Sequence, residues 1–115
     1  MVYILLEKTR LLWLSRHYPT ETQQKELHRI FGNYKIFHYR NPVYSGSEVI
    51  NLINSYAIDE VFVVLPQHLV EELVKLGIKP IKAKMQRHID SDGTAHFIHD
   101  YFFRIHQMKI VKETL

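Results

Sequence analysis

The chain has 115 residues, 46% of them hydrophobic, with seven Tyr, six Phe and one Trp; this suits one packed core and leaves little room for a second. It contains no Cys, so disulfides, thiolate catalysis and cysteine-ligated zinc are excluded. Fifteen Lys plus Arg against twelve Asp plus Glu give a formal charge of +3, a mild excess that favours an anionic ligand but lacks the concentrated basic run of a general nucleic-acid binder.

The first apolar stretch, Val2 to Leu6, is followed by Glu7, Lys8 and Arg10 and has no basic segment before it, which makes a poor signal peptide. No window approaches the roughly 18 apolar residues of a membrane span. A soluble, cytoplasmic protein with no membrane partner is expected. Val2 to Leu6 reads either as an edge strand closed by a turn over Glu7 to Arg10, or as part of one long element. Leu11 to Ser15 is a short apolar run ending in a polar cluster, as in a buried strand.

The first helix is marked by Pro19, by the capping-box pair Thr20 and Gln23, and by Gly32 as its stop; Leu27, Ile30 and Phe31 form its apolar face. Tyr34 to His38 reads as the next strand, ended by Arg40, Asn41 and Pro42. Ser47 is positioned to cap a second helix whose buried side holds Val49, Ile50, Leu52, Ile53 and Tyr56. Val61 to Leu65 is almost continuously apolar, which a strand covered on both faces requires. Pro66 suits the first position of a third helix, with Leu69, Val70, Leu73, Val74 and Leu76 as its stripe and Gly77 as its end. Ile78 to Met85, broken by lysines, reads as a fourth strand toward an edge. Asp90 to Gly93 signals a turn, and Thr94 to Val111 predicts one or two antiparallel strands. The alternation predicts a single Rossmann-like α/β domain over residues 1–115: a doubly wound, mainly parallel sheet, helices on both faces, and a C-terminal antiparallel β extension that either widens the sheet or reaches a second subunit.

Open α/β sheets bind ligands beyond the carboxyl ends of their strands, where strand order reverses. Arg16, His17 and Thr20 follow the first strand; Ser45, Gly46 and Ser47 precede the second helix; Gln67 and His68 follow the third strand; Arg87 follows the fourth. If the first and third strands are neighbours, Arg16 and His17 face Gln67 and His68. Arg16 and two helix N-termini suit phosphate. His17 or His68 can move a proton near neutral pH. Gly46 between serines can form a small phosphate nest or an ordinary turn and cap.

The chain has no GxGxxG, no GxxxxGK[ST] and no GxSxG, so a dinucleotide fingerprint, a triphosphate loop and a serine-hydrolase elbow are all missing. No cofactor is expected. His88, His96, His99 and His106 with Asp90, Asp92 and Asp100 invite a metal reading, but His96 and His99 fall on opposite faces of a regular strand unless a bulge or a second subunit intervenes. Solvated or cross-strand histidines are expected instead. Tyr101, Phe102 and Phe103 read as core or interface, becoming a base-stacking platform only if Arg104 and Lys109 share their exposed face.

Ser15-Arg16-His17 with Pro19-Thr20, then Leu65-Pro66-Gln67-His68-Leu69, then Gly77-Ile78, together resemble the compact Rossmann-like ring nucleases of CRISPR systems, or relatives of them on phages and mobile elements. The resemblance covers roughly residues 11 to 85; the β-rich tail departs from it. It implies a homodimer that binds cyclic oligoadenylate across its two-fold axis and cleaves it without metal, through attack of a ribose 2′-hydroxyl on the adjoining phosphorus. Arg16 and the helix end near Thr20 would hold phosphate, His17 or His68 would assist proton transfer, and Gln67 would position the ribose. The competing classes are a non-catalytic nucleotide-binding or sequestering module, a phage protein acting through protein contacts by its aromatic tail, and a nucleic-acid binder with a stripe of Lys79, Lys82, Lys84 and Arg87.

Overall fold

The computed structural model describes residues 8–108. Five strands, β1 (Thr9–Leu14), β2 (Tyr34–Tyr39), β3 (Glu60–Val63), β4 (Ile81–Ile89) and β5 (Ala95–Arg104), form one sheet in the order β2-β1-β3-β4-β5. The first four run parallel, and β5 returns antiparallel to β4. Three helices, α1 (Glu21–Phe31), α2 (Gly46–Tyr56) and α3 (Gln67–Lys75), connect the parallel strands. The doubly wound α/β class with an antiparallel C-terminal extension is therefore present; Val2 to Leu6 lies outside the described residues.

Strand alternation divides the core in two. Leu11 and Trp13 pack with Leu27 of α1, Phe62 and Ile81 on one face, while Leu12 and Leu14 pack with Val49 of α2 and Val70 and Leu73 of α3 on the other. β1 is buried on both faces because it is central, and this is why its sequence is a run of apolar residues rather than an alternation. Trp13, 2% exposed, stacks on Phe62 at a centroid distance of 3.7 Å and 13° between planes. The edge of Phe102 closes the cluster at 6.1 Å. The indole N–H is not orphaned by this burial, since Nε1 donates to the carbonyl of His17 at 2.7 Å.

The ends of the elements correct several expectations. Thr20 caps α1 with the full reciprocal capping box, and Gly32 closes it at φ +69° as expected. The cap of α2 is Ser45, not Ser47: Ser45 Oγ accepts from Glu48 N–H, two positions earlier than expected. Pro66 is the N-cap of α3 and not its first helical residue. β3 ends at Val63, leaving Val64 exposed, because the parallel ladder to β1 stops at Leu14. The fourth strand is Ile81–Ile89, displaced toward the C-terminus, and it lies inside the sheet because β5 takes the edge.

The largest departure lies in β5. His99 is buried, not solvated, and its ring joins β5 to α1. Gln23 Oε1 accepts from Thr20 N–H, which turns Nε2 toward His99 Nδ1 at 3.4 Å; Nδ1 is thus the acceptor, and Nε2–H donates to Glu26 Oε2 at 2.9 Å. The other carboxylate oxygen of Glu26 accepts from Phe102 N–H at 3.2 Å. Burial by itself raises the Glu26 pKa, but the Phe102 and His99 hydrogen bonds and the nearby Arg29 outweigh it and hold the carboxyl below its ordinary value. A register shift between Lys84 and Met85 leaves Asp100 as an extra residue in β5, so that His99 and Phe102, three positions apart, share the core face. His96 precedes the bulge and remains on the surface, paired with Asp90. Among the described residues no group of three metal-ligating side chains occurs.

Trp13→Ala should lower the unfolding free energy by about 3–5 kcal/mol in denaturant titrations, while Trp13→Phe, which keeps an aromatic ring but loses the donor, should cost less than half of that. Equal losses for both would show that the indole hydrogen bond, not the packing, dominates. The lowered Glu26 pKa has a definite sign: its stabilisation is complete above the unfolded glutamate value of about 4.3 and disappears as pH falls through the lower native value. Glu26→Gln should therefore give a flatter stability curve than the native chain from about pH 5 downward, measured by chemical denaturation at each pH. Parallel curves would overturn the assignment.

Candidate functional site

The order β2-β1-β3 places the topological switch between β1 and β3, whose carboxyl ends are neighbours: Leu14 lies beside Val63. Two cavities open there. The larger, about 390 Å³, lies on the α1 side and is walled by Trp13, Phe62, Tyr18 and the aliphatic Val63, Val64 and Leu65, with His17, Thr20 and Gln23 at its polar side and Lys82, Ala83 and Met85 contributed by β4. The smaller, about 310 Å³, lies between the ends of β1, β2 and β3 and is lined by Arg16, Arg40, Asn41, Tyr39, Pro42 and Pro66 among others. Ser15, Val64 and Leu65 belong to both, so the cavities share a wall.

The loop that divides them is held from several directions. Ser15 Oγ accepts from His17 N–H at 3.2 Å, and the Ser15 carbonyl accepts from His38 Nε2 on β2 at 2.8 Å. Since a carbonyl can only accept, His38 carries its proton on Nε2. Tyr18 packs its ring edge against His38 at 5.6 Å. With the Trp13 bond to the His17 carbonyl, these contacts leave the His17 imidazole exposed at the larger cavity and Arg16 exposed at the smaller one.

The candidate residues of the sequence divide accordingly. Arg16, His17 and Thr20 all line the crevice. Gln67 and His68 occupy the first turn of α3 and are exposed, but they line neither cavity, although Pro66 immediately before them does. Arg87 is exposed two residues beyond Met85 and, by strand alternation, on the same face as that cavity-lining residue. Ser45, Gly46 and Ser47 stand apart. Gly46 N–H donates to Glu72 Oε1 at 2.9 Å, and a Cβ at Gly46 would lie 2.7 Å from Leu76 Cδ1; the glycine is there for close approach of α3. Ser45 Oγ is engaged by Glu48 N–H and Ser47 Oγ. The N-terminus of α2 thus receives a carboxylate of the chain itself, where the nest reading put a ligand phosphate.

The N-terminus of α3 differs, for Pro66 provides no side-chain cap. Its first N–H groups and positive dipole end add to Arg16 and Arg40 beside the smaller cavity. The crevice therefore has an aromatic and aliphatic half next to a half with two guanidiniums.

Sequence reasoning missed Trp13 and Lys82 as lining residues. Arg40 follows β2 as Arg16 follows β1, so the strand-end rule reaches both, but only Arg16 enters the expected site. Trp13 was assigned wholly to the buried strand, and Lys82 enters only through the register of β4, for which the sequence carries no local signal. The basic stripe of Lys79, Lys82, Lys84 and Arg87 is divided as well, since alternation puts Arg87 on the opposite face from Lys82 and Lys84; for the stacking platform, Arg104 is taken by Glu60 at 2.8 Å. Lys109 lies outside the described residues. No protein-family model, curated protein or solved structure matches this chain.

Proposed function

We propose that this chain binds cyclic oligoadenylate at the carboxyl edge of β1 and β3 and opens it without a metal, as a ring nuclease of a homodimeric, cytoplasmic, CRISPR-linked antiviral system. The observation that carries the ligand class is the shared wall of Ser15, Val64 and Leu65 between an aromatic cavity and a cavity with Arg16 and Arg40. A nucleotide divides in the same way, into a flat base and a phosphate. The larger cavity is within the usual range for small-ligand sites, and the exposed Tyr18 and Val64 supply apolar surface for a base, while Trp13 and Phe62 are buried in its wall. Arg16 and Arg40 can each grip two phosphate oxygens, and the uncapped N-terminus of α3 adds favourable potential. The ring-nuclease form of this reading rests on the resemblance of residues 11 to 85.

In the proposed reaction a ribose 2′-oxygen forms a bond to the adjoining phosphorus, and the bond from phosphorus to the 5′-oxygen breaks. The products are a linear strand with a cyclic 2′,3′-phosphate and a 5′-hydroxyl. His17 is suited to taking the 2′-hydroxyl proton or giving one to the 5′-oxygen, and Arg16 to balancing charge on the phosphoryl oxygens. Much of the acceleration in such a reaction comes from alignment of the 2′-oxygen with the leaving oxygen. A non-catalytic sequestering module is the second reading, and one observation favours it: Gln67 and His68, assigned to ribose positioning and proton transfer, line neither cavity.

Incubation with cyclic tetraadenylate and cyclic hexaadenylate in EDTA, followed by mass spectrometry, tests both readings. Linear products ending in a cyclic phosphate are expected, with rates reduced by about 10²–10³ in Arg16→Ala. Intact rings that co-elute with the protein would establish the sequestering module. Rings neither cut nor bound would overturn the proposal.

A further inference from the structure

β4 does not stop where its neighbour does. Phe62 pairs with Ile81, so Val63, the last residue of β3, is level with Lys82, and β4 runs on to Ile89. At roughly 3.3 Å per residue this carries β4 about 23 Å past the end of β3. β5 returns along it from Ala95, so the distal part is a two-stranded arm with no other described strand beside it. An isolated two-stranded ribbon is marginal in water and needs a further strand or an apolar cover.

The surface of the arm has the composition of something covered. Ile89 is 64% exposed, Phe97 68%, Ile98 49%, Tyr101 49% and Phe103 39%. Phe97 and Ile98 are consecutive and so point to opposite faces, which means that neither face is shielded. At 150–250 Å² for an aromatic side chain, these five expose on the order of 500 Å², divided by alternation between Ile89 and Phe97 on one face and Ile98, Tyr101 and Phe103 on the other, so that a contact along the outer edge of β5 is the one that reaches both sets. The charges indicate what the partner is. Lys82, Lys84 and Arg87 stand against Asp90, Asp92 and Asp100, a balanced set that a polyanion would not select, while Arg104 is already paired with Glu60. Lys82 and Lys84 lie near the root of the arm and Asp90 and Asp92 at its tip, with Arg87 and Asp100 between them. The tip carboxylate of Asp92 accepts the Thr94 N–H at 2.9 Å.

We propose that the β4–β5 arm is the dimerisation element of this protein, with the arms of two copies lying antiparallel about a two-fold axis and Phe97 and Ile98 at the centre of contact. Antiparallel pairing sets the acidic tip of each arm beside the basic root of the other, so the same surface serves both copies, as an isologous contact requires. The outer edge of β5, unpaired among the described residues, supplies main-chain donors and acceptors for that contact. The homodimer is already part of the proposed function; what the arm adds is where the two copies meet, and that placement is argued from the arm's own residues. Its bearing on the site is positional: Lys82, Ala83 and Met85 at the root of the arm line the larger cavity, so the second copy stands at the mouth of the crevice.

Sedimentation velocity of the full chain tests this. Twice the chain mass is expected in the range of about 1 to 100 μM, with association weakening as salt rises. Phe97→Asp with Ile98→Asp should give the single-chain mass while far-UV circular dichroism is retained, because both side chains lie outside the two cores. Lys84→Glu, a surface change, should weaken association by about tenfold or more, and adding Asp92→Lys should restore it. A native chain that sediments at single-chain mass throughout, or a dimer unchanged by these substitutions, would overturn the proposal; retention of such a single chain by single-stranded polynucleotide would identify the other occupant of the arm. Oligoadenylate binding measured on the same samples keeps failure of the ligand reading separate from failure of the dimer.

Discussion

The Trp13 indole joins the interior of this protein to its crevice. Its ring fills the space between α1 and the sheet by stacking on Phe62, and its N–H holds the carbonyl of His17. Burying a Trp without a partner for that N–H is costly, so the core is fully satisfied only when the Ser15–His17 segment adopts the path that brings His17 to one cavity and Arg16 to the other. The path is fixed further by Ser15, which accepts from His17 through its hydroxyl and from His38 through its carbonyl. Packing on one side of the sheet thus sets the position of polar groups at its end, a form of support that loops built on loops lack.

Electrostatics differentiates the three helix N-termini. α1 begins with a complete capping box, α2 receives the carboxylate of Glu72 at Gly46 N–H, and α3 begins at a proline with no side-chain cap. Only the last adds its potential to a cavity that holds two guanidiniums. The capping box of α1 has another part to play, because the same Gln23 amide that accepts from Thr20 N–H presents its NH₂ to His99. A local helix-start signal is in this way continued into a buried polar chain through His99 to Glu26 and the Phe102 N–H. Such a chain favours specificity of docking between α1 and β5, since every member has its partner only in this register.

Much of the architecture was legible because its signals are local. The apolar runs of β1 and β3, the capping box at Thr20 and Gln23, and the stop at Gly32 depend on residues within a few positions of one another, and the adjacency of β1 and β3 follows from connection rules. What was not legible is mostly register. The bulge at Asp100 breaks the period-two alternation of β5, so the core members His99 and Phe102 cannot be told from the surface members Tyr101 and Phe103 by spacing. Ser45 and Ser47 are both acceptable caps in sequence, and the choice between them is settled by α3, whose Glu72 and Leu76 close upon Gly46. At the crevice, Arg16, His17 and Thr20 follow from strand ends alone, whereas Lys82 reaches it through the register of β4 and Met85 because β4 is longer than β3. Gln67 and His68 show the limit of the same rule: a strand end locates a loop, and the turn of the helix that follows decides where its side chains go.

The overhang of β4 also has a mechanical side. Its root is anchored at the base of the sheet, where Arg104 bonds to Glu60 and to the Lys79 carbonyl and Ile105 N–H bonds to the Pro80 carbonyl. Taken as a rigid lever about this fulcrum, β4 from Ile81 to Ile89 spans about 26 Å, and a rotation of about 10° would move its tip by about 5 Å. Lys82 and Ala83 lie close to the fulcrum and would move far less, and Met85, halfway along, about half as far. In that geometry a slight change in the width of the larger cavity at Lys82 and Ala83 would be amplified at the tip, and a load placed on the tip would return to that wall as a small displacement.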